Sequence, residues 1–192
     1  MNQYIEEEKN LIGFLGLYET LDQDGYIGSI LITDHQGRPQ EFRCTYPIKP
    51  TIIQKPLYGE TLEPHIGVNL CGIPLIKSIQ SKPSLIVVNK EFLIDIREES
   101  PCPVIFIRRA GEVIDIKESN NSEITLRRER IDCSTGRFQP IIIELHTNYY
   151  DDDINNTRKT LAKVFTHLDP IEPFERIEKA IEILGKQDKR FQ

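Results

Sequence analysis

The sequence lacks several features by which large protein classes are recognised. It contains no tryptophan and only one methionine, at its first position, and none of its four cysteines, Cys44, Cys71, Cys102 and Cys133, forms a CxxC pair. A zinc site built on paired cysteines is therefore not indicated. No apolar run approaches the roughly 20 residues of a membrane helix, and the acidic residues 1–10 are unlike a signal peptide. These absences predict a cytoplasmic protein that makes no membrane contact.

Common catalytic signatures are also missing. The chain has no glycine-rich loop followed by GKS or GKT, no GxSxG, no HExxH and no kinase signature. The recognisable nucleotide-dependent and hydrolase classes are therefore excluded. The net charge of −6 argues against indiscriminate binding of nucleic acid.

Apolar periodicity predicts strands over most of the first 150 residues. Isoleucine recurs in short runs, which favours strands because β-branched side chains fit a pleated sheet. A helix is predicted where Tyr58, Leu62, Ile66, Leu70 and Ile73 recur at helical spacing. The predicted strands are residues 11–21, 26–33, 40–45, 84–88, 92–96, 104–108, 112–117, 123–128 and 139–146, with a hairpin turn at Asn89-Lys90.

The pattern changes after residue 150, where two apolar stripes predict a helical hairpin. Ile154, Leu161, Phe165 and Leu168 mark its first helix, and residues 174–184 carry the second stripe. We expect an α+β fold of mostly antiparallel, mixed sheet or sheets with one central helix and this hairpin. The expected domains are a β-rich unit over residues 1–150, with a subdivision near residue 82 left open, and the hairpin over 151–192 packed on it.

One near-motif resembles the metal site of restriction-type nucleases. Those enzymes place one acid on a strand, and a second acid and a lysine separated by one residue on a neighbouring strand, so that the acids hold a divalent metal. Here Asp95 would be the first acid, and Asp115 with Lys117 would be the second element. Acid-x-Lys also occurs by chance on exposed strand faces, which is the simpler interpretation.

A second metal hypothesis involves Glu144 and His146, which fall on one face of a predicted strand, and the nearby Asp151. Carboxylate and imidazole groups bind transition metals. A histidine at a strand end and an acidic helix start explain the same residues without a metal.

Arginines dominate the basic residues between positions 101 and 150. Arginine contacts carboxylates and phosphates with a planar, bidentate group, so arginines on neighbouring strands would form a docking face for an acidic protein or a nucleic-acid backbone. Neighbouring glutamates would instead neutralise them pairwise. The candidate docking residues are Arg108, Arg109, Arg127, Arg128 and Arg130.

Two stretches of the chain resemble a family of bacterial proteins for which no activity is established. They are residues 28–34 (GSILITD) and 37–43 (GRPQEFR), with Pro47, Pro50-Thr51 and residues 57–59 (LYG) after them, and residues 172–177 (EPFERI). The resemblance carries no catalytic residue to this chain. It implies a bacterial source and a non-enzymatic accessory role.

The leading interpretation is therefore an accessory subunit that binds a protein partner in a bacterial assembly and uses no cofactor. Nucleic acid is a further expected partner, through the arginines. One alternative is a metal-dependent nuclease or phosphoryl-transfer enzyme with Mg²⁺ at Asp95 and Asp115. Another is a small-ligand sensor, which is an analogy from architecture alone.

Overall fold

Seven strands form one mixed sheet in the computed structural model, which describes residues 11–111 and 126–191. The strand order is β3-β2-β1-β4-β5-β7-β6. The strands are β1 Ile12–Glu19, β2 Tyr26–Thr33, β3 Pro39–Cys44, β4 Leu85–Val88, β5 Val104–Arg109, β6 Leu126–Ile131 and β7 Ile141–His146. The two β-rich stretches of the sequence thus share a single sheet.

The centre of the sheet is parallel and its two sides are antiparallel. β4 pairs in parallel with β1 and β5, whereas β2, β3, β7 and β6 pair antiparallel with their neighbours. All four residues of β4 are buried, as expected of a central parallel strand that is covered on both faces. The predicted α+β class with a mixed sheet is confirmed.

Helices cover both faces of this sheet. Ile12 and Phe14 of β1 belong to the core under the C-terminal helices, on what we call the first face. Leu15 and Leu17 of the same strand belong to the core under the helices of residues 54–99, on the second face. This division follows from the alternation of side chains along a strand.

The predicted central helix is confirmed, and it is segmented. It occupies residues 54–78 and changes from α to 3-10 to α to π to α geometry along its length. The segments are α1 Gln54–Tyr58, a 3-10 turn Gly59–Thr61, α2 Leu62–His65, a π-helix Ile66–Gly72 and α3 Ile73–Ser78. Pro64 lies inside α2, two residues before the π segment begins. Proline has no backbone N–H to donate within a helix, so the regular α pattern is interrupted near this point.

The predicted strand 92–96 is wrong. Residues Glu91–Glu99 form a 3-10 helix on the second face, and the hairpin at Asn89-Lys90 does not form. β4 runs parallel to both of its partners, so the chain must cross over before β5 instead of turning back. Leu93 and Ile96 lie three residues apart, so the 3-10 repeat places both on the buried side.

The predicted helical hairpin is confirmed as α4 Tyr150–Val164 and α5 Glu172–Gln187. Three aspartates occupy the first turn of α4, where negative charge is favoured. The ring of Phe174 meets that of Phe14 edge to face at 5.8 Å, which fixes α5 to the middle of the sheet. Within the described parts of the chain, no helix combines the length and apolar character needed to cross a bilayer.

Candidate nucleic-acid site

The fold directs attention to the crevice between β1 and β4. In open sheets with parallel strands, ligands bind beyond the carboxyl ends of the strands where neighbouring connections leave in opposite directions. β1 leads to β2 on one side, and β4 leads to β5 on the other. This crevice is therefore the position at which the topology places a ligand.

Uncharged groups close that crevice. The backbone N–H of Leu17 donates to Asn89 Oδ1 at 3.1 Å, and Asn89 Nδ2 donates to the Leu17 carbonyl at 3.3 Å. A Cβ atom added to Gly67 would lie 2.7 Å from the Phe92 ring and 3.2 Å from Leu17, so the packing above the crevice is tight. Because the residues that close it offer an amide and apolar groups, they do not fit a catalytic Mg²⁺ ion, which proteins bind through carboxylates.

An open cavity of about 540 Å³ lies further along the second face, between the segmented helix and the 3-10 helix. Asp95 is one of its lining residues, with Glu98 and Glu99 from the same helix. His65 and Asn69 line the opposite side and are linked by a 3.2 Å hydrogen bond between Nδ1 and Nδ2. The cavity therefore combines carboxylates with an imidazole and an amide.

Opposing influences act on the pKa of the Asp95 carboxyl. Burial raises the pKa of Asp95, the electrostatic influence of His146 lowers it, and that of Glu98 raises it. A carboxyl whose pKa is raised by burial beside an open cavity is a candidate functional group. Asp95 is the nuclease candidate that the structure describes, and it lies on a helix instead of the predicted strand.

A buried ionic cluster lies on the second face around Glu144 of β7, two residues before His146. Glu144 is fully buried, and its Oε1 atom is 2.9 Å from Arg128 Nε and 3.3 Å from Arg108 Nε. Its Oε2 atom has no hydrogen-bond partner among the described residues. Leaving a buried acceptor unsatisfied costs about 1–3 kcal/mol. The arginines therefore neutralise Glu144 without satisfying it fully.

Glu91 lies at the rim of this cluster, at the start of the 3-10 helix. Partial burial raises the pKa of Glu91, as does the charge of Glu144, while Arg128 and Arg108 lower it. Glu91 is thus within electrostatic reach of Glu144 and of both arginines.

The five candidate docking arginines do not form one surface. β7 separates β5 from β6, and alternation places Arg109 and Arg127 on the first face, opposite Arg108, Arg128 and Arg130. Arg109 pairs with Asp169 and Arg127 with Asp151 on the first face, while Arg130 pairs with Asp132. On the second face, Arg108 and Arg128 share Glu144.

The proposed metal ligands Glu144, His146 and Asp151 do not converge. Glu144 and His146 share the second face of β7, but the Asp151 side chain is 92% exposed beside Arg127 on the first face. His146 Nδ1 already accepts a hydrogen bond from the backbone N–H of Asn148. No three His, Cys, Asp or Glu side chains within residues 11–111 and 126–191 are grouped so that they could hold a metal ion.

Asp115 and Lys117 lie outside the described residues, so their relation to Asp95 stays a prediction. Two groups that the structure reveals carried no sequence signal. Asn89 was assigned to a turn, and Glu91 belongs to no motif. The Glu144–His146 alternation on a strongly predicted strand and the candidate arginines Arg108 and Arg128 were the signals that pointed to the ionic cluster.

An apolar surface lies apart from both sites, at the start of the segmented helix. Ile52 is 89% exposed, and Ile53 and Leu57 are exposed as well. None of the residues of α1 is buried. Exposed apolar clusters of this kind are unusual on a monomer and mark interaction surfaces.

Comparison with known proteins gives a fold and no family. No protein-family model and no curated protein matches the chain. Endonuclease V of Ciona intestinalis, in complex with a 24mer DNA containing an inosine followed by a ribo-adenosine, matches with a TM-score of 0.50 and 8% identity, over 89% of this chain and 86% of that chain. Endonuclease V of Bacillus subtilis matches with a TM-score of 0.49 and 13% identity, over 80% of this chain and 71% of that chain. The chain thus shares the fold of a nuclease, while an activity has to be argued from its own residues.

Proposed function

We propose that this chain binds nucleic acid and hydrolyses a phosphodiester bond with a divalent metal such as Mg²⁺. The observation that supports the proposal is the likeness to an endonuclease V bound to DNA, which extends over nearly the whole chain. The sequence left two interpretations, an accessory subunit and, as the alternative, a nuclease. The fold favours the nuclease.

A complete metal site would need ligands outside the residues that the structure describes. Asp95 is the half-buried carboxylate of the open cavity, but the described residues do not complete a metal site around it. The proposal takes the second carboxylate from Asp115. Lys117 would hold the attacked phosphate, since a divalent metal and a cation together offset the charge of the reacting group. Asp95 would contribute one ligand, as the carboxylate of the open cavity.

The test is a cleavage assay with Mg²⁺ or Mn²⁺ on single- and double-stranded DNA and RNA, including strands that contain inosine. Asp95→Asn and Asp115→Asn should each lower the cleavage rate by at least 100-fold, on the order of the loss expected when one catalytic group is removed. Asp151→Asn is the matched control, because its side chain is almost fully exposed on the other face.

Two results would overturn the proposal. One is the absence of cleavage by the wild-type chain on all of these substrates. The other is cleavage that neither aspartate variant reduces. Binding without cleavage would leave a nucleic-acid-binding subunit that performs no chemistry.

A second candidate function is the docking subunit, and the apolar surface of Ile52, Ile53 and Leu57 favours it. A partner that buries these side chains would gain roughly 1.5–3 kcal/mol from each. Capture from host cells with the wild-type chain and with Leu57→Asp tests this function. The docking function is excluded if no protein is recovered in stoichiometric amount, or if the variant recovers the same protein equally well.

A further inference from the structure

The geometry points to Arg108 and Arg128 as a clamp for one phosphate group of a nucleic-acid backbone, held in position by the buried carboxylate of Glu144. This inference assigns phosphate-binding residues to the proposed function and rests on it. Neither the crevice between β1 and β4 nor the cavity at Asp95 offers a guanidinium, since uncharged groups close the crevice and the cavity is lined by three carboxylates, an imidazole and an amide.

The clamp is built across three strands. Arg128 of β6 lies directly opposite Glu144 of β7, and Arg108 of β5 lies on the other side of β7, one diagonal position away. Both arginines approach the same oxygen of Glu144 through Nε. About half of the Arg128 side chain is exposed (54%), and a guanidinium presents its terminal nitrogens as a fork that matches two phosphate oxygens.

Charge and burial distinguish the clamp from an ordinary surface ion pair. Two guanidinium groups share one carboxylate, so the three side chains carry a net charge of +1 before Glu91 is counted. Glu144 is fully buried and cannot itself meet a ligand, but it holds two long side chains in place. Binding a phosphate there would cost little side-chain ordering, because the arginines are already positioned.

The clamp and Asp95 lie on the same face of the sheet. Glu144 and His146 are two residues apart on the same face of β7, a separation of about 7 Å. His146 in turn influences the carboxyl of Asp95.

The test compares two adjacent arginines in a binding assay. Arg127 and Arg128 are 52% and 54% exposed and lie on opposite faces of β6. Labelled 20-nucleotide DNA and RNA are titrated with wild type, Arg128→Ala, Arg128→Lys and Arg127→Ala at several salt concentrations. We expect Arg128→Ala to weaken binding about tenfold and to reduce the salt slope by about one. Arg128→Lys should restore only part of the loss, and Arg127→Ala should change the affinity less than twofold.

Equal losses in Arg128→Ala and Arg127→Ala, or no loss in Arg128→Ala, would overturn the clamp. Glu91→Gln should tighten binding, because it removes a negative charge at the rim, and weaker binding would count against the clamp. If the wild-type chain binds no nucleic acid, the proposed function fails, and thermal unfolding with pyrophosphate decides the inference separately. Stabilisation of the wild type that Arg128→Ala abolishes supports a phosphate clamp, and no stabilisation overturns it.

Discussion

Replacing Arg97 by alanine would remove one half of a buried ion pair that fastens the 3-10 helix to α4. Arg97 Nε and Nη2 donate to the two carboxylate oxygens of Asp153 at 2.7 and 3.0 Å, and Nη1 donates to the carbonyl of Ser100 at 3.1 Å. The guanidinium also lies 4.4 Å from the centre of the Tyr149 ring. The arginine thus joins the helix that carries Glu91 and Asp95 to the C-terminal hairpin.

The expected loss is large because Asp153 would stay buried without a partner. The side chains of Arg97 and Asp153 are 16% and 6% exposed, so solvent screens the pair little. Removing one member of such a pair costs about 3–5 kcal/mol. For a chain of this size each kcal/mol shifts the melting temperature by about 2–4 °C, so Arg97→Ala should melt roughly 10 °C below the wild type. Urea unfolding followed by circular dichroism measures the free energy directly.

Two further variants separate the buried charge from the loss of packing. Arg97→Met with Asp153→Leu removes both charges and should return to within about 1 kcal/mol of the wild type. Lys77→Ala removes the exposed Lys77–Glu99 pair at the end of the same helix, which should cost less than about 1 kcal/mol. The reasoning is refuted if Arg97→Ala costs no more than Lys77→Ala.

Three further predictions concern other parts of the chain. Gly28→Ala should lower the free energy of unfolding by about 1–3 kcal/mol, because the added Cβ would lie 2.4 Å from that of Cys71; urea midpoints measure this, and an unchanged midpoint contradicts it. The hydroxyl of Thr135 lowers the pKa of Cys133 to about 7, but the thiol is buried in the core and alkylation requires access as well as thiolate; Cys133 should therefore be alkylated slowly in the native protein and rapidly in urea, and equal rates contradict this. Partial burial raises the pKa of Glu41, but hydrogen bonds from a guanidinium and two backbone N–H groups hold it at about 2. Its folded pKa is depressed, so its contribution to stability is present above pH of about 4.3 and is lost as the pH falls towards 2; Glu41→Gln should flatten the urea midpoint over that window.

Local patterns predicted most of the elements. β2 follows its alternating sequence from Tyr26 to Thr33, and both helices of the hairpin follow their apolar stripes. The segment around Leu93 was misassigned because a short apolar run fits a repeat of two as well as a repeat of three. The parallel pairing of β1 with β4 joins residues more than 70 positions apart, and no local signal carries that information.

The candidate site was less accessible from the sequence. Glu144 and His146 were placed on one face of one strand, as the structure has them, because that strand is strongly patterned. The sharing of Glu144 by Arg108 and Arg128 depends on the order β5-β7-β6, which places a later strand between two earlier ones. The separation of Arg127 from Arg128 follows from alternation alone, and it was overlooked because the arginines were treated as one group.

The amide of Asn89 has a mechanical consequence for the centre of the sheet. Its two hydrogen bonds to Leu17 continue the β1–β4 ladder past the last backbone pair, so a side chain serves as an additional rung. These hydrogen bonds hold β1 and β4 together at the end of their pairing, where the two strands would otherwise separate. The slow exchange expected of the Leu17 amide proton therefore depends on one side chain. Asn89→Asp keeps the acceptor and loses the donor, so it would remove one of the two hydrogen bonds.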